Sequence, residues 1–207
     1  MKVRLKKEIV TMGVSVDAQG DAGTYVEPAD WNALIADPDV ALIDTRNAYE
    51  VEVGAFEGAI DPVTENFGEF PGWLDQMART SGKKRVAMYC TGGIRCEKAT
   101  AYARALSFDE VYHLKGGILK YLEEIAPQDS KWNGECYVFD RRVTVGHGVM
   151  PGSYTACNAC GKPVSQADAA HRDFELGVSC ASCIGAYSED DRRRFRDRQA
   201  QAVREGG

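Results

Sequence analysis

The chain has 207 residues, 44% apolar and 27% charged, with a net charge of −6. That is enough to bury a core, and it leaves no global basic field to attract nucleic acid. No apolar run approaches the roughly 20 residues of a membrane span, and no apolar segment follows the basic start to mark a secretory signal. Seven cysteines, an odd number and not spaced as a disulfide framework, point to a reducing cytoplasm.

Residues 1–23 begin as a basic, strand-like stretch (Val3, Leu5, Ile9, Val10) and dissolve into a Gly-Asp-Ala-Gly linker. From 24 to 127, short apolar runs alternate with helical patterns. Pro28 suits the first turn of a helix carrying Trp31, and residues 40–43 read as a buried strand ending at Asp44. A helix is expected over 66–77, and buried strands over 86–89 and 111–114, the last followed by a Gly116-Gly117 turn. This alternation predicts an α/β fold with a parallel sheet flanked by helices, with ligands beyond the carboxyl ends of the strands. Residues 128–154 read as an extension with a strand over 136–139, residues 155–187 as a cysteine module, and residues 188–207 as a charged helical tail.

Cys90 lies at a strand end and opens the run Cys90-Thr91-Gly92-Gly93-Ile94-Arg95-Cys96 before a helical stretch. A cysteine on such a turn faces backbone N–H groups and a helix N-terminus, which favour thiolate over thiol. Gly92 and Gly93 let the backbone curl around the sulfur, and Arg95 adds a fixed positive charge. Four residues separate Cys90 from Arg95, one fewer than the loop a cysteine phosphatase wraps around a tetrahedral phosphate. The shorter loop fits a smaller guest, such as a sulfane sulfur carried on the cysteine. Cys96, on the first turn of the following helix, reads either as a core residue or as a second thiol that accepts or resolves sulfur from Cys90.

Cys157-x-x-Cys160 and Cys180-x-x-Cys183, 19 residues apart, have the spacing of a four-thiolate structural zinc site. The segment has few large apolar residues and needs a metal to fold. His171 between the pairs reads as a surface residue, because four cysteines already fill the site. Arg192, Arg193, Arg194, Arg196 and Arg198 are interleaved with acids, as on a solvated helix with internal ion pairs. A phosphate-contacting face is the other reading, with Lys83, Lys84, Arg85, Arg141 and Arg142 as further candidates.

The stretch 24–127 resembles the rhodanese family. Besides the Cys90 loop, it carries Leu42-Ile43-Asp44-Thr45-Arg46 followed by Tyr49-Glu50, then Gly54-Ala55-Phe56-Glu57-Gly58-Ala59-Ile60, and Leu114-Lys115-Gly116-Gly117-Ile118. Ala55 stands where that family often has histidine. The resemblance implies a persulfide on Cys90 stabilised by the loop amides and Arg95, with Asp44 and Arg46 in support. The activity it implies is sulfur transfer from thiosulfate or a persulfide donor.

A narrower resemblance spans nearly the whole chain. Residues 89–98, the Gly116-Gly117-Ile118 turn, Trp132-Asn133-Gly134-Glu135-Cys136-Tyr137-Val138-Phe139-Asp140-Arg141-Arg142 and the paired cysteines are similar to the bacterial tRNA uridine(34) hydroxylases. That resemblance implies oxygen-dependent 5-hydroxylation of the wobble uridine, with tRNA as partner, molecular oxygen as co-substrate and a cysteine of rhodanese type. Members usually carry a ferredoxin-like domain ahead of the rhodanese domain, and residues 2–13 look like its closing strand, so the chain reads as truncated. No flavin, haem or dinucleotide signature is visible, and His113, His147 and His171 assemble no iron site with a carboxylate. No organic cofactor is identifiable. A catalytically silent zinc-bearing module is the reading from a third class.

Overall fold

The computed structural model describes residues 8–18, 20–106 and 108–205. The chain divides into two compact units, one of Met1–Cys136 with Gly146–Met150, the other of Tyr137–Val145 with Pro151–Gly207. Residues 1–7, where the expected N-terminal strand begins, lie outside the described residues. The described residues between 8 and 23 form no strand, and Met12 among them is fully buried in the core.

The first unit runs β1 (Thr24–Val26), α1 (Pro28–Ile35), β2 (Val40–Asp44), α2 (Ala48–Val51), β3 (Gly54–Phe56), α3 (Phe70–Thr80), β4 (Arg85–Tyr89), α4 (Ile94–Arg104), β5 (Glu110–Leu114), α5 (Gly117–Glu124) and β6 (Trp132–Gly134). Strands β1, β5, β4 and β2 form a parallel sheet in that order. All of β2 and most of β4 are buried, as a sheet covered on both faces requires. Side chains alternate between the faces: Ile43, Val86 and Met88 pack with Leu74, Met77, Ala99 and Ala103 of α3 and α4. Tyr89 points the other way, where Phe56 meets Tyr89, Tyr121 and Trp132 edge-to-face at ring separations of 4.7–5.0 Å. Each such pair adds about 0.5–1.5 kcal/mol beyond its buried area.

The helix expected from residue 66 begins at Phe70. The Asn66 side chain accepts from the Gly68 N–H and caps a single 3₁₀ turn, Phe67–Glu69, and α3 then starts with a proline in its first turn. At the carboxyl edge of the sheet, glycines shape two helix starts. Gly93 precedes α4 with φ of +93°. Gly117 opens α5 with φ of +66°, and a Cβ there would lie 2.4 Å from the Cys90 carbonyl oxygen. Backbone and side chains therefore meet closely around Cys90, at the end of β4.

The second unit holds β8 (Thr144–Val145), β9 (Thr155–Ala156), β10 (Pro163–Val164), α6 (Gln166–Ala169) and α7 (Glu189–Glu205), and the unit boundary falls within β7 (Cys136–Tyr137). Strand β7 is shorter than the run expected over 136–139. The chain turns at once, with Val138 N–H donating to the Val143 carbonyl at 2.8 Å and Val143 held at φ of +64°.

Candidate active-site loop and metal centre

Cys90 is 2% exposed, and its sulfur accepts the Gly93 N–H at 3.1 Å. The N–H groups of Arg95 and Cys96 also point at it. Helix α5 holds the loop from behind, with Ile118 N–H donating to the Cys90 carbonyl at 3.0 Å and Leu119 N–H to that of Thr91 at 3.1 Å. The Cys96 thiol donates to the Cys90 sulfur, and this bond is the largest influence lowering the Cys90 pKa. Burial works against it, while the Arg95 charge and the backbone donors add to it, and Cys90 is pushed down to about 6. Cys96, fully buried and sharing its proton with that thiolate, moves the opposite way, well above the ordinary thiol range. The surroundings therefore favour the thiolate on Cys90 and the thiol on Cys96.

Arg95 does not aim its fork at the sulfur. Nη1 and Nη2 donate to the two carboxylate oxygens of Glu50, each at 2.7 Å. Glu50 is fully buried, and the Thr91 hydroxyl donates to it at 3.3 Å. The bidentate pair fixes the guanidinium, so Cys90 feels its charge through space. Glu50→Gln keeps the shape and removes the charge that pairs bidentately with the buried Arg95 guanidinium. A loss of about 3–5 kcal/mol is expected. A urea midpoint equal to that of the parent chain would contradict it.

Asp44 and Arg46 form a second buried pair beside the loop, with Nη2 to Oδ2 at 2.6 Å and both side chains fully buried. Arg46 also donates to the carbonyls of Glu50 at 3.1 Å and Gly54 at 2.6 Å, and lies 5.1 Å from the Trp132 ring centroid. Burial disfavours its charge, and Asp44 more than reverses that, raising the Arg46 pKa. The pair ties α2 and β3 to the end of β2. Thr45, between its members, donates its hydroxyl to the Tyr89 carbonyl at 3.0 Å and lies 3.6 Å from the Cys96 sulfur. The structure thus gathers Cys90, Arg95 and Cys96 with Thr91, Gly92, Gly93 and Ile94 at one sheet edge, and adds Glu50 and Thr45 to them.

In the second unit, the sulfurs of Cys157, Cys160, Cys180 and Cys183 lie within 4.8 Å of one another. Cys157 to Cys183 is 3.9 Å, Cys160 to Cys180 3.8 Å and Cys180 to Cys183 3.7 Å. Thiolates about 2.3 Å from a tetrahedral zinc would stand about 3.8 Å apart. The cluster can hold a metal ion and its spacing is compatible with zinc. His171 is half exposed and stands apart from the four sulfurs, its ring 3.6 Å from Asp173.

The arginines of α7 are committed locally. Arg192 donates to the carbonyls of Ile184 and Tyr187, both at 2.8 Å, and Arg198 to that of Asn158 at 2.8 Å. Arg196 grips Glu175 at 2.7 and 2.8 Å, Arg194 pairs with Asp191 at 2.7 Å, and Arg193 pairs with Asp190. The helix thereby straps the two cysteine turns. Among the other basic candidates, Arg85 pairs with Asp37 and Glu110, both at 2.5 Å, and Arg142 with Asp140 at 2.6 Å. Among the described residues, no helix is long and apolar enough to cross a membrane.

A model of the rhodanese-like domain matches residues 27–124. A protein of Agrobacterium fabrum named tRNA uridine(34) hydroxylase is 57% identical over 202 residues, covering 97% of this chain and 64% of its own length. One of Brucella anthropi, of the same name, is 56% identical, with 97% of this chain and 66% of its own length covered. The chain thus spans a little under two thirds of these relatives. A solved structure from Rhodopseudomonas palustris, described as a possible tyrosine phosphatase, is 27% identical, covers 50% of this chain and 82% of its own, and has a TM-score of 0.43.

Proposed function

We propose that this chain, which carries a rhodanese-like domain and is 56–57% identical to relatives named tRNA uridine(34) hydroxylase, serves the oxygen-dependent 5-hydroxylation of the wobble uridine of tRNA, with Cys90 as the reacting residue. The observation that carries the reading is a buried sulfur receiving the Gly93, Arg95 and Cys96 N–H groups and the Cys96 thiol. In this reading Cys90 is the thiolate, Cys96 its thiol partner, and the amides of residues 91–96 cradle negative charge on whatever the sulfur carries. Arg95 supplies charge from a position set by Glu50, while Asp44 and Arg46 brace the neighbouring backbone. Zinc, held by Cys157, Cys160, Cys180 and Cys183, is structural, because four thiolates leave no open position for chemistry. In this reading the work belongs in the cytoplasm, which cysteines spaced for a metal rather than for disulfides support.

The same cradle supports a second reading, sulfur transfer. The Cys90 thiolate attacks the outer sulfur of thiosulfate, the sulfur–sulfur bond breaks, sulfite leaves with the electron pair, and a persulfide remains on Cys90. The four-residue spacing to Arg95 favours a guest of that size.

Nucleoside analysis separates the two. A strain lacking the modification is complemented with the full-length gene carrying either Cys90 or Cys90→Ser. The hydroxylase reading expects 5-hydroxyuridine only with Cys90. Thiocyanate formation from cyanide that depends on Cys90, with no gain of 5-hydroxyuridine, would leave sulfur transfer alone standing.

A further inference from the structure

The second unit contains a cavity of about 370 Å³, lined among others by Arg141, Tyr154, Cys157, Asn158, Phe174 and Leu176. We propose that it receives one unstacked nucleotide of single-stranded RNA, the base against the aromatic wall and the phosphate on Arg141. The proposal rests on the reading that tRNA is the substrate, and it adds a binding site built from residues of the second unit.

Size is the first argument. Ligand sites run from roughly 300 to 1,000 Å³, so this one, near the lower limit, suits a single nucleotide. The second is its wall. Phe174 packs on the cysteine cluster and, with Tyr154, lines the cavity, so two aromatic rings are available where a base could stack. Asn158, exposed at the rim, carries both a donor and an acceptor for a base edge.

Charge is the third argument. The chain carries 31 acidic residues against 25 basic ones, yet no carboxylate lines this cavity. Other cavities include Asp109 and Glu110, Glu57, or Glu175 in their walls. Here the charged lining residue is Arg141, exposed and in no ion pair among the described residues, while its neighbour Arg142 is held by Asp140. The turn displaying Arg141 is held firmly: Arg142 N–H donates to the Asp140 carboxylate at 2.9 Å, and Val143 closes it in a left-handed conformation with φ of +64°. For a β-branched residue that geometry is strained, and strain of this kind is typical of ligand clamps.

The test is equilibrium binding of the 207-residue chain to a fluorescent anticodon stem-loop RNA over a range of salt. Loss of one single-strand phosphate contact in Arg141→Ala should flatten the slope of log K against log salt by about 0.7. Tyr154→Ala should weaken binding roughly 5- to 150-fold, the span observed for one stacked base, while Tyr154→Phe should bind like the parent. Helical ellipticity and metal content of each variant report folding, and the exposed Arg141 gives a test that survives if Tyr154→Ala fails to fold. If the parent binds and Arg141→Ala keeps both its affinity and its slope, the cavity is not the site and the tRNA reading stands. If the parent does not bind the RNA at all, the cavity proposal falls, and the tRNA reading is decided separately by the nucleoside analysis of the full-length gene. If Arg141→Ala instead abolishes self-association and leaves RNA affinity intact, the surface contacts protein and the proposal is wrong.

Discussion

Titrated through its ultraviolet thiolate absorbance, Cys90 is expected to ionise with a midpoint of about 6, read as the difference between the parent chain and Cys90→Ser. The sign follows from the groups around it. Hydrogen bonds from the Cys96 thiol and the loop amides, and the charge of Arg95, all favour the anion, and together they outweigh the cost of burying it. Cys96→Ala removes the strongest of these, so the midpoint should climb toward the ordinary thiol value of about 8.5. Cys96→Ser returns a donor and should bring it part of the way back. A parent midpoint near the ordinary value, or one that Cys96→Ala leaves unmoved, would end the thiolate–thiol account. Linkage gives an independent check. Because the folded pKa is depressed, the thiolate contributes stability that is fully present above the unfolded value and is lost as pH falls through about 6. The parent's stability advantage over Cys90→Ser should therefore shrink across that interval.

Cys96 shows why part of this site was legible in the sequence and part was not. Local spacing placed Cys90 at a strand end and Cys96 on the first helical turn, because strand, glycine turn and helix are contiguous there. Spacing left Cys96 with two readings, core residue or second thiol, and the structure puts both properties in one side chain, fully buried and hydrogen-bonded to Cys90. Arg95 looked like a charge closing the loop on the sulfur. Its carboxylate partner, Glu50, lies 45 residues earlier on a different helix, and no local pattern announces a contact of that separation. In the sequence Glu50 stands only within the Tyr49-Glu50 pair of a family motif, which assigns it no role. Thr45 sits between Asp44 and Arg46, and its contact with Cys96, 51 residues later, leaves no local pattern either.

The tail reads differently for a related reason. Interleaved acids and arginines correctly suggest a helix with internal pairs, and Arg193 and Arg194 do pair three residues back. Carbonyl partners leave no trace in composition, so the commitment of Arg192 and Arg198 to the cysteine turns was invisible. The paired cysteines themselves were legible because a Cys-x-x-Cys turn brings two thiolates within reach of one tetrahedral ion, and two such turns supply all four ligands.

Removing the metal should unfold the second unit. The core around the cluster consists of Cys157, Cys160, Cys180 and Cys183 with Val164, Ala159, Phe174 and Tyr187, so half of its members are the ligands themselves. With so little apolar area, transfer free energy alone cannot offset the entropy of ordering the segment. Structural zinc binds zinc-finger peptides with about 10–16 kcal/mol, which is folding free energy when no site exists in the unfolded chain. Helix α7 should be lost with it. It has 17 residues, is strongly polar, and is fastened by Arg192, Arg196, Arg198 and the Tyr187–Phe195 ring contact at 5.1 Å to the segment of the four cysteines. An isolated helix of that length is marginal in water. The two units can be watched separately, because the three tryptophans, Trp31, Trp73 and Trp132, all lie in the first. A zinc chelator should lower helical ellipticity while leaving tryptophan emission where it was, and Cys160→Ser should do the same without a chelator. Unchanged ellipticity, or well under one zinc per chain in the untreated protein, would mean that something other than this ion holds the cysteines together.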